Sequence, residues 1–99
     1  MQFVVVAYDG TDEGGLVRRM AAREAHLALA KGLVDNGNWL YACAIQNDDG
    51  KAIGSVVVCE FPSRDELDQW LQKEPYVAAK VWQEVRVHRA QVAPFWARS

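Results

Sequence analysis

The chain of 99 residues is 51% hydrophobic and 24% charged, and its formal net charge is −2 at pH 7. This length suits one domain, residues 1–99, and the weakly negative charge does not favour binding to nucleic acid or to anionic membranes. No apolar run reaches the roughly 20 residues that span a bilayer, and the N-terminus lacks the features of a signal peptide, so we expect a cytoplasmic protein.

The first element is a short run of β-branched and aromatic residues, 3–8, which predicts strand one. A polar loop with glycines follows, in which Thr11 or Asp12 is a candidate helix cap. We expect the helix to run to about Val34 and to end at Gly37, because glycine accepts the positive φ that helix ends often need.

One face of this helix is apolar when residues are projected at roughly 100° each. The predicted stripe consists of Leu16, Met20, Leu27, Ala30 and Val34. We expect it to pack on a sheet, although Arg23 projects into its middle and Arg19 and His26 lie at its edge. Two interpretations of Arg23 stay open: its head extends to solvent along an apolar stem, or this face lines a cleft where Arg23 and His26 meet a ligand.

Two further apolar runs, 39–46 and 53–61, are joined by the turn-forming segment 47–51 and predict a β-hairpin. Residues whose numbers sum to roughly 99 should lie opposite each other in this hairpin, which places Cys43 across from Val56.

The two cysteines, Cys43 and Cys59, are therefore not partners in that register. Because both lie in apolar runs of a chain with no export signal, we expect two buried free thiols. No Cys or His pair has the spacing of metal ligands, so we expect no metal site.

A capping box predicts the second helix, with Ser63 as N-cap and Glu66 three residues later. Glu74 precedes Pro75, and because proline favours the first position of a helix, Glu74 is the expected N-cap of a short turn over about 76–81. A carboxylate at that position is stabilised by free backbone N–H groups and by the helix dipole.

Residues 84–92 alternate loosely and predict strand four, with His88 at the surface or at a subunit interface. The order is therefore βαββαβ, an α+β fold of the ferredoxin-like kind with a four-stranded antiparallel sheet. Two helices cover only one face of such a sheet, yet strands one and three are apolar on both faces. A second copy packed sheet to sheet is the simplest cover, so the pattern predicts a homodimer.

Short motifs along nearly the whole chain resemble the YciI-like, or YCII-related, proteins. They are Arg23-xx-His26-Leu27, Asp49-Gly50, Gly54-Ser55-Val56, Trp70-Leu71 and Glu74-Pro75-Tyr76. The resemblance implies a dimeric α+β barrel of ferredoxin-like subunits. It also implies a pocket in each subunit that holds a histidine of helix one and an aspartate of an Asp-Pro-aromatic motif. His26 stands at the histidine's position, Glu74 replaces the usual aspartate, and Cys43 stands where relatives often have glycine, which would narrow the pocket.

An imidazole beside a carboxylate is a general acid/base unit, because the carboxylate fixes the ring tautomer and favours the protonated ring. The sequence lacks the Gly-x-Ser-x-Gly nucleophile motif, so the pair by itself suits proton transfer in an isomerisation or elimination. Arg23 lies one turn before His26, where it is placed to hold an anionic oxygen. Aromatic residues such as Tyr8, Trp39 and Tyr76 would give the ligand a flat, apolar wall.

The leading hypothesis is a cofactor-independent lyase or isomerase for a small hydroxylated ring compound, with His26 as acid/base, Glu74 orienting it and Arg23 binding an anion. The resemblance adds that some family members look like dehydrochlorinases of hydroxylated, chlorinated rings, while the wider fold class includes muconolactone isomerases. Two alternatives stay open. One is a dimeric small-molecule-binding or accessory module without chemistry, in which Glu74 is only a helix cap, and the other is a cofactor-free monooxygenase.

Overall fold

The computed structural model describes residues 1–96, so residues 97–99 of the predicted domain lie outside the described part. The strands are β1 (Gln2–Asp9), β2 (Trp39–Gln46), β3 (Ala52–Glu60) and β4 (Trp82–Ala90), and the helices are α1 (Gly15–Asp35), α2 (Arg64–Lys73) and α3 (Pro75–Ala78). A short 3-10 turn, Pro94–Trp96, follows β4. All strand pairs are antiparallel in the order β2-β3-β1-β4, which confirms the predicted ferredoxin-like α+β fold. Within residues 1–96, no helix has both the length and the apolar character needed to cross a membrane.

The core lies between the helices and one face of the sheet. Alternate residues of β1, namely Phe3, Val5 and Ala7, point to that face and are at most 3% exposed. Leu67 and Trp70 of α2 pack against the same core. We call the face that carries Phe3, Val5 and Ala7 the inner face of the sheet, because the helices cover it. The opposite face, which carries Val4 and Val6, is the outer face.

Local sequence signals placed most boundaries correctly. Gly37 and Gly50 adopt positive φ, at 82° and 79°, as expected for a helix end and a hairpin turn. Ser63 Oγ accepts a hydrogen bond from the Glu66 N–H at 3.2 Å, which confirms the predicted N-cap of α2. Cys43 lies opposite Val56, which confirms the hairpin register.

The buried face of α1 is not the predicted one. Only Ala30 of the apolar stripe is buried, whereas Leu16, Met20, Leu27 and Val34 are 39% to 69% exposed. Arg19 and His26 are buried instead, at 8% exposure each. Both polar side chains have partners beneath the helix, namely Asp9 for Arg19 and Glu74 for His26. Apolar periodicity contains no information on such partners, so it placed both residues only at the edge of the stripe.

Two smaller predictions are also wrong. The N-cap of α1 is Gly14, so neither Thr11 nor Asp12 is the cap. The Asp12 carboxylate instead forms an ion pair with Arg18 at 2.6 Å. Both thiols are free, as expected, but only Cys59 is buried. Cys43 is exposed because it lies on the edge strand β2 and shares the outer sheet face with Val56.

Candidate active site

A cleft of about 640 Å³ opens between α1 and the β2–β3 side of the sheet. Ala42 and Ala44 of β2 lie on the inner sheet face, because they pair with the inward-facing Val57 and Ser55. Their side chains end at Cβ, so they leave the space beneath α1 open. Residues of α1, β2, β3 and α3 line this cleft, so four separate elements fix its shape.

His26 and Glu74 form a buried pair at the inner wall of the cleft. The His26 Nδ1 and Glu74 Oε1 atoms are 2.5 Å apart, and the Glu74 side chain is fully buried. Glu74 Oε1 also accepts a hydrogen bond from the Tyr76 N–H at 3.2 Å, so one carboxylate oxygen both caps α3 and holds the imidazole. A buried carboxylate is costly without a partner, and His26 supplies one.

Aromatic rings surround the imidazole on several sides. The Tyr76 ring stacks on His26 with centroids 3.8 Å apart and an interplanar angle of 7°. Trp82 meets the imidazole edge-on at 5.7 Å, and Trp39 packs at 5.9 Å. Because Nδ1 is engaged by Glu74, Nε2 is the ring nitrogen left for a ligand, and it makes no hydrogen bond within residues 1–96.

Arg23 lines the same cleft one helical turn from His26. It is exposed, and it makes no ion pair or hydrogen bond with the described residues, 1–96. Burial raises the pKa of the Tyr76 hydroxyl, and the positive charges of Arg19 and Arg23 oppose this shift only in part. The Tyr76 hydroxyl is therefore protonated at neutral pH.

Tyr8 does not reach this cleft, so the prediction that it forms part of the same wall is wrong. Side chains alternate along a strand, and Tyr8 follows the inward-facing Ala7 on the outer face of β1. It lines a separate cleft of about 700 Å³ together with Asp12. Trp39, which the sequence also offered for this wall, does line the His26 cleft.

Cys43 does not narrow the cleft with its side chain. It contributes to the lining of the rim, but it shares the outer face with Val56 and therefore points away from His26. His88 is exposed on the same outer face, opposite Val4, in agreement with the predicted surface position.

A buried polar cluster beside the cleft escaped the sequence analysis. Arg19 Nη1 lies 2.8 Å from both carboxylate oxygens of Asp9, and Arg19 Nη2 donates to Ser55 Oγ at 3.1 Å. Trp82 Nε1 donates to the same oxygen at 3.3 Å. The sequence carried one signal for this cluster, a serine inside the apolar run of β3. Among residues 1–96, no group of three or more His, Cys, Asp or Glu side chains is arranged to hold a metal ion.

Comparison with known proteins identifies the family. The YCII-related domain matches residues 1–91. The chain belongs to the YCII-related family. Two similar members are the proteins named YciI of Escherichia coli O6:H1 and of Shigella flexneri, each 39% identical over 93 residues, which cover 88% of this chain and 93% of the relative.

A solved structure shares the fold of this YCII-related chain. It is the 5-chloro-2-hydroxyhydroquinone dehydrochlorinase of Burkholderia phenoliruptrix AC1100 in complex with 2,5-dihydroxybenzoquinone. The TM-score is 0.81, the identity is 23%, and the match covers 96% of this chain and 98% of the other. At that identity the likeness shows the fold alone.

Proposed function

We propose that this YCII-related protein is a cofactor-independent lyase or isomerase that acts on a small hydroxylated ring compound. The observation that carries the proposal is the buried His26–Glu74 pair, in which Glu74 engages Nδ1 while His26 lines an open cleft. The dehydrochlorinase with the same fold, seen with a dihydroxyquinone, supports this class of substrate.

Each residue has a defined role in this reaction. His26 Nε2 removes a proton from the substrate, and the Glu74 carboxylate stabilises the imidazolium that forms. In an elimination, the electron pair of the bond to the removed proton forms a new π bond. The leaving group departs with the electron pair of its own bond to the ring. In an isomerisation, the same imidazolium returns the proton to another atom of the substrate. Arg23 holds an anionic oxygen of the ring, and Tyr76 and Trp39 offer flat apolar surfaces.

Turnover of hydroxylated, chlorinated ring compounds tests this proposal, with chloride release and the ultraviolet spectrum as readouts. We expect His26→Gln to lower kcat by roughly 10²- to 10⁴-fold, because general acid/base catalysis contributes about that much. The glutamine amide keeps a donor for Glu74, so the variant should still fold. His88→Gln is the matched control, since His88 lies exposed on the outer sheet face. Undiminished turnover by His26→Gln would remove the central claim.

A second candidate is a non-catalytic binding or accessory module, and one observation favours it. Glu74 Oε1 already caps α3, so the carboxylate has a structural reason to be present. Under that function, His26→Gln lowers the melting temperature and no tested ring compound is turned over by the wild type. Oxygen uptake with quinol substrates, measured in the same assays, identifies a monooxygenase instead.

A further inference from the structure

A second polar group faces the cleft from the sheet, opposite the helix that carries His26. Ser55 lies on β3, lines the cleft and is only 6% exposed. Its position on the strand is tightly fixed, because a Cβ added at Gly54 would lie 2.4 Å from the carbonyl oxygen of Ala7. The glycine therefore permits β3 to approach β1 closely just before Ser55.

The hydrogen bonds of Ser55 leave its proton without an acceptor. A serine hydroxyl has one donor and two acceptor positions. Arg19 Nη2 and Trp82 Nε1 both donate to Oγ, so the two acceptor positions are filled. Within residues 1–96, the Ser55 hydroxyl donates to no acceptor. A buried donor without a partner is unfavourable, so the O–H is available for an acceptor in the cleft.

The groups that orient Ser55 are themselves held in place. The Arg19 guanidinium contacts both oxygens of Asp9, and the two side chains are 9% and 7% exposed. The same guanidinium lies 4.9 Å from the centroid of the Tyr76 ring, which stacks on His26. Asp9 neutralises Arg19, so Arg19 orients other groups and does not compete for an anionic ligand with Arg23.

We propose that Ser55 is a ligand-binding residue whose hydroxyl donates a hydrogen bond to a phenolate or quinone-type carbonyl oxygen of the bound molecule. Arg19 and Trp82 are positioning residues, because they act through Ser55. The ligand class rests on the proposed function, whereas the free donor rests on the contacts of Ser55 itself. Ser55, Arg23 and His26 line the same cleft, so in this proposal a flat ring places one oxygen on Ser55 and another on Arg23.

Calorimetric titration with 2,5-dihydroxybenzoquinone tests this inference. We expect Ser55→Ala to weaken binding roughly 10- to 100-fold, because a hydrogen bond to a charged oxygen is lost. Ser55→Thr keeps the hydroxyl and should bind within about threefold of the wild type, allowing for its extra methyl group. Ser63→Ala is the matched control: it removes a serine hydroxyl at the cap of α2, outside the residues that line the cleft, and should not change the affinity.

The alanine variant leaves the Arg19 and Trp82 donors without an acceptor, so its folding is checked by circular dichroism. Ser55→Cys is the second variant, because a thiol is a weak donor of similar size and should lower the affinity as alanine does. Affinities within twofold of the wild type for Ser55→Ala or Ser55→Cys would overturn the inference, as would a wild type that fails to bind the quinone at millimolar concentration. Quinone binding that depends on Ser55, together with turnover that does not depend on His26, would leave this inference standing and remove the proposed function.

Discussion

Glu74 shows how one residue can serve folding and chemistry together. Its Oε1 atom accepts the Tyr76 N–H and contacts His26 Nδ1, while its Oε2 atom is buried and has no hydrogen-bond partner among residues 1–96. Ser63, the N-cap of α2, accepts the Glu66 N–H and makes no side-chain to side-chain hydrogen bond among residues 1–96. Comparison of the two caps therefore separates the contribution of helix capping from that of the histidine contact.

We predict that Glu74→Gln lowers the free energy of unfolding by about 2 kcal/mol or more, because it weakens a cap and a charge-assisted contact at once. Ser63→Ala, the control, should cost about 1 kcal/mol. Urea unfolding of each variant measures both values. ¹⁵N NMR of the neutral His26 ring should show the Nδ1–H tautomer in the wild type and a mixture of tautomers in Glu74→Gln. An unchanged tautomer would mean that Glu74 does not orient the ring.

Cys59 is buried, whereas the other cysteine, Cys43, is exposed. Burial raises its pKa to about 12, so almost no reactive thiolate is present at neutral pH. In a Cys43→Ser background, we predict that a thiol reagent labels Cys59 only after unfolding in urea. Labelling of the native protein at the rate of a free thiol would show that the strand pair around Cys59 opens readily.

Asp12 gives the pH dependence with the clearest sign. The Arg18 guanidinium lowers the pKa of the Asp12 carboxyl from 3.8 to about 2 in the folded chain. Because the folded value lies below the unfolded one, the stabilisation is present above pH 3.8 and is lost as the pH falls through 2. In Asp12→Asn, the melting temperature should therefore depend less on pH between these two values than it does in the wild type. Asp48→Asn in the exposed hairpin turn is the control and should leave the wild-type slope.

Helices and strands differed in how well the sequence predicted them. The hairpin register and the caps of α2 and α3 depend on turn and capping residues close in sequence, so they were predictable. The face of α1 was not, because Arg19 and His26 are buried by partners that come from β1 and from the start of α3.

The residues of the candidate site also fall into two groups, those that the sequence predicted and those that it did not. His26, Glu74, Arg23 and Tyr76 were named from motifs. The structure has His26, Arg23 and Tyr76 lining one cleft, and Glu74 is buried in contact with His26. The Asp9–Arg19–Ser55 contacts join residues 10 and 36 positions apart, and they depend on how β3 pairs with β1. No local pattern carries that information.

The buried Arg19–Asp9 pair joins α1 to β1. Asp9→Asn leaves the guanidinium buried without its counter-charge, and we predict a loss of roughly 3 kcal/mol in the free energy of unfolding. Lys31 and Asp35 form the contrasting pair on the same helix, with side chains 77% and 61% exposed. Asp35→Asn should cost at most about 0.5 kcal/mol. Equal effects of the two substitutions in urea unfolding would show that the Arg19 pair is solvated.

The outer face of the sheet determines which oligomeric state we expect for the protein. Val4 and Val6 of β1 lie beside Val58 and Val56 of β3, and all four are half-buried. Trp96 of the 3-10 turn lines a cavity with Val4 and Val58 at this face. The neighbouring strand β4 carries polar side chains on this face, namely Glu84, Arg86 and His88. An apolar centre with a polar rim is the usual anatomy of a protein interface.

We predict that this face packs against a second copy, so that sedimentation at micromolar concentration gives twice the chain mass of 11.1 kDa. Val6→Asp should produce a folded monomer, because it places a charge at the centre of the contact while the helix-covered core is untouched. Val17→Asp is the matched control, since Val17 is 69% exposed on α1 and should leave the dimer intact. Cys43 shares the outer face with Val56, so thiol labelling of Cys43 should be faster in Val6→Asp than in the wild type. A wild type that sediments as a monomer would mean that the valines of the outer face remain in contact with water, and the dimer would have to be abandoned.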